Sequence, residues 1–99
     1  MATKKATQKA QRVLRVGNNV LIRTVSFFLT GEIVAMGDGF IVLQQAAWIA
    51  DTGRFADALR TGELNEVEPV NTQDTLAEVS VGAIVDAFTW DHALPRAVK

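Results

Sequence analysis

A Gly37-Asp38-Gly39 turn between two apolar runs constrains this fold more than any other feature. The runs cover residues 33–36 and 40–43. Glycines beside an aspartate suit the tight turn of a β-hairpin, so this stretch predicts two antiparallel strands. A surface hairpin alternates apolar and polar residues, whereas these runs are apolar on both faces. We therefore expect both faces of the hairpin to be covered.

The size of the chain limits how much cover it can supply by itself. A chain of 99 residues makes one domain, here residues 1–99. Such a domain buries only about two thirds of the surface that its unfolded chain exposes. Yet 48% of the residues are hydrophobic and only 21% are charged. This surplus of apolar side chains favours a partner, and a second copy of the chain is the simplest one.

Several function classes are disfavoured by what the sequence lacks. Without cysteine and with one histidine, it offers no disulfide framework and no thiolate or histidine-rich metal site, and we expect no cofactor. No apolar run is long enough for a membrane helix, and the basic start lacks a signal-peptide core, so we expect a cytoplasmic protein with no membrane contact. No nucleophile elbow or phosphate loop is present, and the adjacent Asp91 and His92 form no catalytic pair by themselves. We expect no enzyme and no small-molecule substrate.

Charge is segregated along the chain. Residues 1–31 contain six basic residues and no acid, whereas residues 32–91 contain all eleven acids. Such a basic segment can contact phosphate or the acidic body of a neighbouring copy, or it can simply be solvated. All three interpretations remain open at this point.

The first half of the sequence predicts a helix followed by a three-strand meander. Thr3 can cap a helix over residues 3–13, on which Ala6, Ala10 and Val13 share one face. Strands are expected over residues 20–28, 29–36 and 40–49, with the barrel as a whole covering 16–90. Gly31 inside the second strand indicates a sharp bend, because glycine otherwise weakens a strand.

The second half predicts a helical insert and two more strands. Asp51 or Thr52 can cap a short helix that ends at Gly62. An edge strand follows over 64–70, where proline cannot donate to a ladder. The last strand, over 77–90, is expected to be long and continuous, and residues 91–99 form a tail. Five short strands in this order predict an all-β fold with a small, strongly bent barrel.

This order of elements resembles the Sm-like family, whose SH3-like barrels carry an N-terminal helix and whose members include bacterial Hfq. Gly31 matches the glycine of the bent second strand. The stretch "DGFIVL" matches the following turn and third strand, with Asp38 as the acid and Phe40 as the aromatic residue. The stretch "VGAIV" resembles the second family signature. The chain looks most similar to Sm-like proteins of cyanophage and marine origin, which would place it in the host cytoplasm.

The resemblance implies a ring and a ligand. Sm-like barrels form homo-oligomeric rings of about five to seven subunits, in which the last strand of one subunit pairs with the fourth strand of the next. It thereby implies interface residues on these two strands, namely Val67, Val70, Val81, Ile84 and Val85. Family members bind single-stranded RNA, and the matching motif residues are Asp38 and Phe40. Charge segregation, rather than the resemblance, adds the basic residues Lys4, Lys5, Lys9, Arg12 and Arg15 to those expected to contact nucleic acid.

Two departures from the family pattern leave the function open. Ile41 and Val42 stand where polar residues read a base, and the second signature lacks its basic residue. Phe40 can stack on a base or belong to the core, and Asp38 can simply be a turn residue. The sequence predicts a non-enzymatic, RNA-binding ring protein. The alternative is a structural or protein-interaction ring without nucleic acid.

Overall fold

The computed structural model describes residues 11–70 and 74–99, which form an antiparallel sheet of six strands and one α-helix. The elements in chain order are β1 (Asn19–Thr24), β2 (Phe28–Gly37), β3 (Phe40–Asp51), α1 (Phe55–Thr61), β4 (Glu66–Pro69), β5 (Ala77–Ser80) and β6 (Ile84–Thr89). A 3-10 turn, Val81–Ala83, joins β5 to β6. The prediction of an all-β chain with a helical insert between the third and fourth strands is confirmed at this level.

The sheet has the order β4-β3-β2-β1-β6, and β5 also lies beside β3. The long strand β3 pairs with β4 through its second half, where Ala47 faces Pro69, and with β5 through its first half, where Leu43 faces Ala77. Both pairings are antiparallel, so β4 and β5 act as two halves of one partner strand. The described part of the sheet is open, because β5 and β6 do not pair with each other.

The prediction of one continuous strand over 77–90 is wrong. The chain pairs with β3 up to Ser80 and with β1 from Ile84, so it must cross from one strand to the other. The 3-10 turn makes this crossing, and the Val81 N–H donates to the Gly39 carbonyl at 2.9 Å. A period-two pattern of side chains continues through the crossing, which is why the sequence did not reveal it.

The first boundary of the meander also differs from the prediction. The strand expected over 20–28 ends at Thr24, and the chain turns before β2 begins. Thr24 closes this turn: its N–H donates to the Phe27 carbonyl at 2.8 Å, and its Oγ1 accepts from the Phe27 N–H at 3.0 Å. A threonine side chain that bonds to nearby backbone in this way stabilises a turn among β-forming residues.

Gly31, where the sequence predicts a sharp bend, lies at an irregularity in the register of β2. The register with β3 shifts between Thr30 and Glu32. A Cβ atom on Gly31 would lie 3.1 Å from the Leu43 Cβ and 3.3 Å from the Gln44 carbonyl oxygen. Glycine therefore allows β2 and β3 to approach closely where the ladder is interrupted.

Helix α1 ends as predicted but begins differently. Gly62 follows the helix with φ of 80°, and its N–H donates to the Ala58 carbonyl at 2.8 Å. The expected cap at Asp51 or Thr52 is wrong, because the N-cap is Arg54, which makes no side-chain cap. Asp51 instead accepts the Gly53 N–H at 2.8 Å, and this local turn uses its carboxylate before the helix starts.

Two buried clusters lie on the two faces of β1. The first cluster contains Val20, Ile22, Leu29, Ile33, Ile41, Leu43, Ala46 and Val79. The second contains Leu21, Ala47, Ile49, Ala58, Leu64, Val67 and Trp90. Consecutive residues of β1 point to opposite faces, so this strand is buried on both sides.

The hairpin that opened the sequence analysis is covered mainly on one face. Ile33, Ile41 and Leu43 are fully buried in the first cluster. Phe40 and Val42, which alternate with these residues along β3, are only half-buried. Within one copy of the chain, the second face of this hairpin is left partly open, so the predicted cover of this face stays a prediction about a partner.

The N-terminal segment is anchored beside β2. Residues 11–13 are not helical, so the predicted helix does not extend to residue 13, and its remaining part, 3–10, lies outside the described residues. Val13 and Leu14 pack against the first cluster. The Gly17 N–H donates to the Ile33 carbonyl at 2.8 Å, which fixes the segment to the sheet.

The tail, residues 91–99, packs on the second cluster and on β4. His92 Nε2 lies 2.7 Å from the Leu59 carbonyl oxygen, at the end of α1. Lys99 exchanges two backbone hydrogen bonds of 3.0 Å with Val67, so it pairs with the outer edge of β4. Among the described residues, no helix is both long and apolar enough to cross a membrane.

Candidate functional site

The basic residues predicted to contact nucleic acid lie at the start of the chain. Lys4, Lys5 and Lys9 fall outside the described residues. Arg12 and Arg15 are exposed on the segment anchored beside β2, and the Arg15 guanidinium donates to Gln11 Oε1 at 3.1 Å. Within residues 11–70 and 74–99, neither arginine forms an ion pair with an acid. Both positive charges are therefore available to an anionic ligand.

Asp38 and Phe40 lie in and beside the β2–β3 turn. Asp38 is exposed, whereas the half-buried Phe40 ring lies against Gly37, where an added Cβ would come within 2.3 Å of it. Ile41 is buried and Val42 half-buried, so they offer no polar group to a base. The anchor at Ile33 lies five residues before Asp38, or about 16 Å along the strand, so the structure separates this turn from the anchored basic segment.

The five predicted interface residues have different environments. Val67 is buried in the second cluster, and Val70 donates its N–H to the Ala46 carbonyl at 2.8 Å. Ile84 packs against the first cluster. Val81 and Val85 are 39% and 55% exposed. Two of the five side chains are thus presented to solvent, beside the 3-10 turn.

Strands β5 and β6 each have one unpartnered edge in the described part of the chain. β5 pairs only with β3, and β6 pairs only with β1. An unpaired edge presents backbone N–H and C=O groups that can template another strand. The outer edge of β4 is different, because Lys99 pairs with Val67 there and Pro69 has no N–H to offer.

An exposed aromatic pair, which the sequence analysis does not single out, lies on the surface beside β3. The Phe27 and Trp48 rings meet edge to face, with centroids 4.7 Å apart, and they are 47% and 44% exposed. Shallow pockets of about 390 Å³ and 360 Å³ are lined in part by both rings. Successive side chains of a strand point to opposite faces, and Ala47 and Ile49 on either side of Trp48 are buried, so Trp48 points outward.

A second aromatic group joins α1 to the sheet. Phe55 of α1 contacts Phe28 and Phe88, with centroid distances of 5.7 Å and 5.0 Å. These rings line a pocket of about 380 Å³ that also contains Arg23 and Asp86. This pocket presents aromatic walls beside one ion pair.

The Arg23–Asp86 pair bridges β1 and β6. Two hydrogen bonds form the pair. Arg23 Nε donates to Asp86 Oδ1 at 3.0 Å, and Arg23 Nη2 donates to Asp86 Oδ2 at 2.6 Å. Hydrogen bonding to Arg23 lowers the pKa of the Asp86 carboxyl below its usual value, and the same contact raises the pKa of Arg23. Because each group satisfies the other, the pair is a cross-strand contact rather than a free charge.

No metal centre or known relative identifies the site. In the described ranges, no group of three or more His, Cys, Asp or Glu side chains could hold a metal ion. The chain matches no protein-family model, no curated protein and no solved structure. The Sm-like resemblance therefore stays a prediction.

Proposed function

We propose that this chain is a non-enzymatic binding module that assembles into a homo-oligomeric ring of about five to seven copies. The observation that carries the proposal is the pair of unpartnered edges on β5 and β6, with Val81 and Val85 exposed beside them. Pairing β6 of one copy with β5 of the next joins two different surfaces. Such a head-to-tail contact forms a ring when the rotation from one copy to the next adds up to a full turn.

The sheet order supports an Sm-like barrel as the subunit of this ring. When β4 and β5 are counted as one interrupted partner of β3, five strands follow in the order expected of a bent, SH3-like barrel. The 3-10 turn brings the chain from β3 to β1, the two sides that a barrel must join. We infer that the neighbouring copy completes the cover of the open edges.

Single-stranded RNA is the ligand that we propose for this ring. Each subunit contributes five basic residues at the start of the chain, Lys4, Lys5, Lys9, Arg12 and Arg15. Repetition around a ring turns weak phosphate contacts into useful affinity with strong salt dependence. Phe40 at the hairpin can add a stacking contact that tolerates any base.

The RNA proposal is tested by neutralising the basic segment. We expect the K4Q/K5Q/K9Q/R12Q/R15Q variant to lose most of its affinity for a labelled U-rich or A-rich RNA in fluorescence anisotropy at low salt. Each lost phosphate contact should reduce the slope of log affinity against log salt by about 0.7. The control variant R54Q/R96Q removes two exposed charges outside the segment and should retain binding. Unchanged affinity in the five-fold variant would refute the proposal.

A structural or protein-interaction ring is the second candidate. The exposed Phe27–Trp48 pair favours it, because large aromatic rings left in solvent are common at protein interfaces. The apolar Ile41 and Val42 favour it too, since they cannot hydrogen-bond to a base. A stable ring that ignores RNA at low salt would support this candidate over the first.

Assembly is tested separately at β6. We expect Val85→Lys to shift the ring toward monomers in sedimentation velocity, because it places a charge at the proposed contact. Val16→Lys is the matched control, since Val16 is 58% exposed and belongs to neither edge strand. A ring that tolerates Val85→Lys as well as Val16→Lys would place the contact elsewhere.

A further inference from the structure

The surface beside the Phe27–Trp48 pair combines apolar and acidic groups. We call it the acidic aromatic groove and define it by Phe27, Trp48, Glu66, Glu68 and Val98, which line a pocket of about 390 Å³. Lys99 lines the same pocket, but its ammonium is paired with Glu63. The edge-to-face rings form its apolar wall, and Val98 is 64% exposed beside them. Apolar groups grouped in this way on a small protein indicate a binding surface.

The charge of the acidic aromatic groove selects a cation. Glu66 and Glu68 are exposed and alternate with the buried Val67, so they point to the same side of β4. Glu68 stands directly opposite Trp48 in the ladder, which places the carboxylate and the indole on one face. In the described part of the chain, neither glutamate has a cationic partner, because the Lys99 ammonium bonds to Glu63 at 3.1 Å.

An ammonium group can use both features of this surface at once. It is attracted to a carboxylate and also to the face of an aromatic ring, most strongly to that of tryptophan. A phosphate or an acidic peptide would instead be repelled by the two glutamates. The acidic aromatic groove therefore fits a segment that carries several lysines and no acid.

We propose that the acidic aromatic groove binds residues 1–10 of this chain, from the same or an adjacent copy. This segment carries Lys4, Lys5 and Lys9, no acid, and mainly small residues between them. Ten extended residues span at most about 33–36 Å, which sets the reach of the segment from Gln11. This inference does not depend on RNA binding or on a ring, and RNA would compete with the groove for the same three lysines.

Zero-length cross-linking of the full chain tests the contact directly. A carbodiimide activates a carboxyl group, and a lysine amine within contact distance then forms an amide and releases the urea. We expect peptide mass spectrometry to find Lys4, Lys5 or Lys9 joined to Glu66 or Glu68, and to lose these links in high salt. Mixing isotope-labelled and unlabelled chains distinguishes links within one copy from links between copies.

The cross-links also define the result that would overturn the proposal. Asp38 is an exposed carboxylate in the β2–β3 turn, outside the acidic aromatic groove, and provides the internal reference. If the three lysines join Asp38 as often as they join Glu66 and Glu68, the segment has no preference for the groove. Absence of any link to Glu66 or Glu68 at low salt would refute the contact.

Acrylamide quenching of tryptophan fluorescence supplies a second, non-covalent measurement. Trp90 is 3% exposed, so quenching reports mainly on Trp48. We expect K4Q/K5Q/K9Q and E66Q/E68Q each to increase quenching, and the combined variant to show no further increase, because both remove the same contact. D38N is the matched control and should not change the quenching. Additive effects, or no effect of either variant, would contradict the proposal.

Discussion

Replacing Gly62 by alanine should disrupt the junction between helix α1 and the tail. Gly62 has φ of 80°, and a Cβ atom there would lie 2.7 Å from the His92 Cγ. The His92 ring has little freedom to move, because its Nε2 lies 2.7 Å from the Leu59 carbonyl oxygen. Its other neighbour is the Trp90 ring, at a centroid distance of 4.9 Å. Alanine would therefore introduce both backbone strain and a clash.

The magnitude follows from these two contributions. An alanine in the left-handed conformation costs about 1–2 kcal/mol of folding free energy relative to glycine, which has no Cβ atom to clash. Displacing His92 removes one hydrogen bond, whose net contribution to the free energy of unfolding is about 1 kcal/mol. We expect Gly62→Ala to lower that free energy by about 2–3 kcal/mol. In a domain of this size the loss corresponds to a decrease in Tm of about 8–24 °C.

Gly39→Ala is the matched control because it shares only the backbone strain. Gly39 has φ of 82°, and a Cβ atom there would meet nothing within 4 Å. We expect a loss of only about 1–2 kcal/mol. Urea unfolding followed by circular dichroism measures both variants. If Gly62→Ala costs no more than Gly39→Ala, the contact between His92 and the end of α1 does not contribute to stability.

Three further substitutions test the core, an ion pair and the second aromatic group. Thr30 is fully buried, and its Oγ1 has no hydrogen-bond partner in the described residues. Thr30→Val should therefore raise the free energy of unfolding by about 1–2 kcal/mol in thermal melts. A loss of stability would mean that the hydroxyl has a hydrogen-bond partner. Asp86→Asn should lower stability at neutral pH, because Arg23 lowers the pKa of the Asp86 carboxyl in the folded state. That stabilisation is present above the unfolded pKa of 3.8 and disappears as the pH falls through the lower folded pKa, so urea unfolding curves of the two proteins should converge in acid; a constant difference at every pH would contradict this. Phe55→Ala should cost about 2 kcal/mol in urea unfolding, roughly half the cost for a fully buried phenylalanine, and an unchanged midpoint would show that its ring contacts add nothing.

Local signals in the sequence were sufficient for several elements. The Gly37-Asp38-Gly39 turn predicted the β2–β3 hairpin, because glycine and aspartate adopt turn geometry whatever surrounds them. Gly62 predicted the end of α1 for the same kind of reason. Gly31, predicted to mark a sharp bend, lies where the register between β2 and β3 shifts. These features depend on backbone preferences of a few adjacent residues.

The features that the sequence did not reveal depend on distant partners. The crossing at Val81–Ala83 occurs because β5 pairs with β3 and β6 with β1, which no local pattern specifies. The pairing of Lys99 with the edge of β4 is likewise a contact between residues far apart in the sequence. The predicted cap of α1 at Asp51 was wrong for a local reason, because the Asp51 carboxylate accepts the Gly53 N–H in the turn before the helix.

The candidate site shows the same division. Alternation in β3 places Trp48 on the opposite face from Ala47 and Ile49, so its outward direction follows from the sequence. Its contact with Phe27 does not, because the β1–β2 turn at Thr24 had to be known first. Charge segregation was visible at once, but the position of Glu68 opposite Trp48 required the register of β4.

Native mass spectrometry of the full chain at low salt, alone and with a short U-rich RNA, tests the central proposal most directly. We expect one ring with a fixed number of subunits, about five to seven, that carries one RNA molecule. A ring without RNA would keep the edge-to-edge assembly and favour the protein-interaction candidate. A monomer under both conditions would contradict the proposal that the edges of β5 and β6 pair between copies.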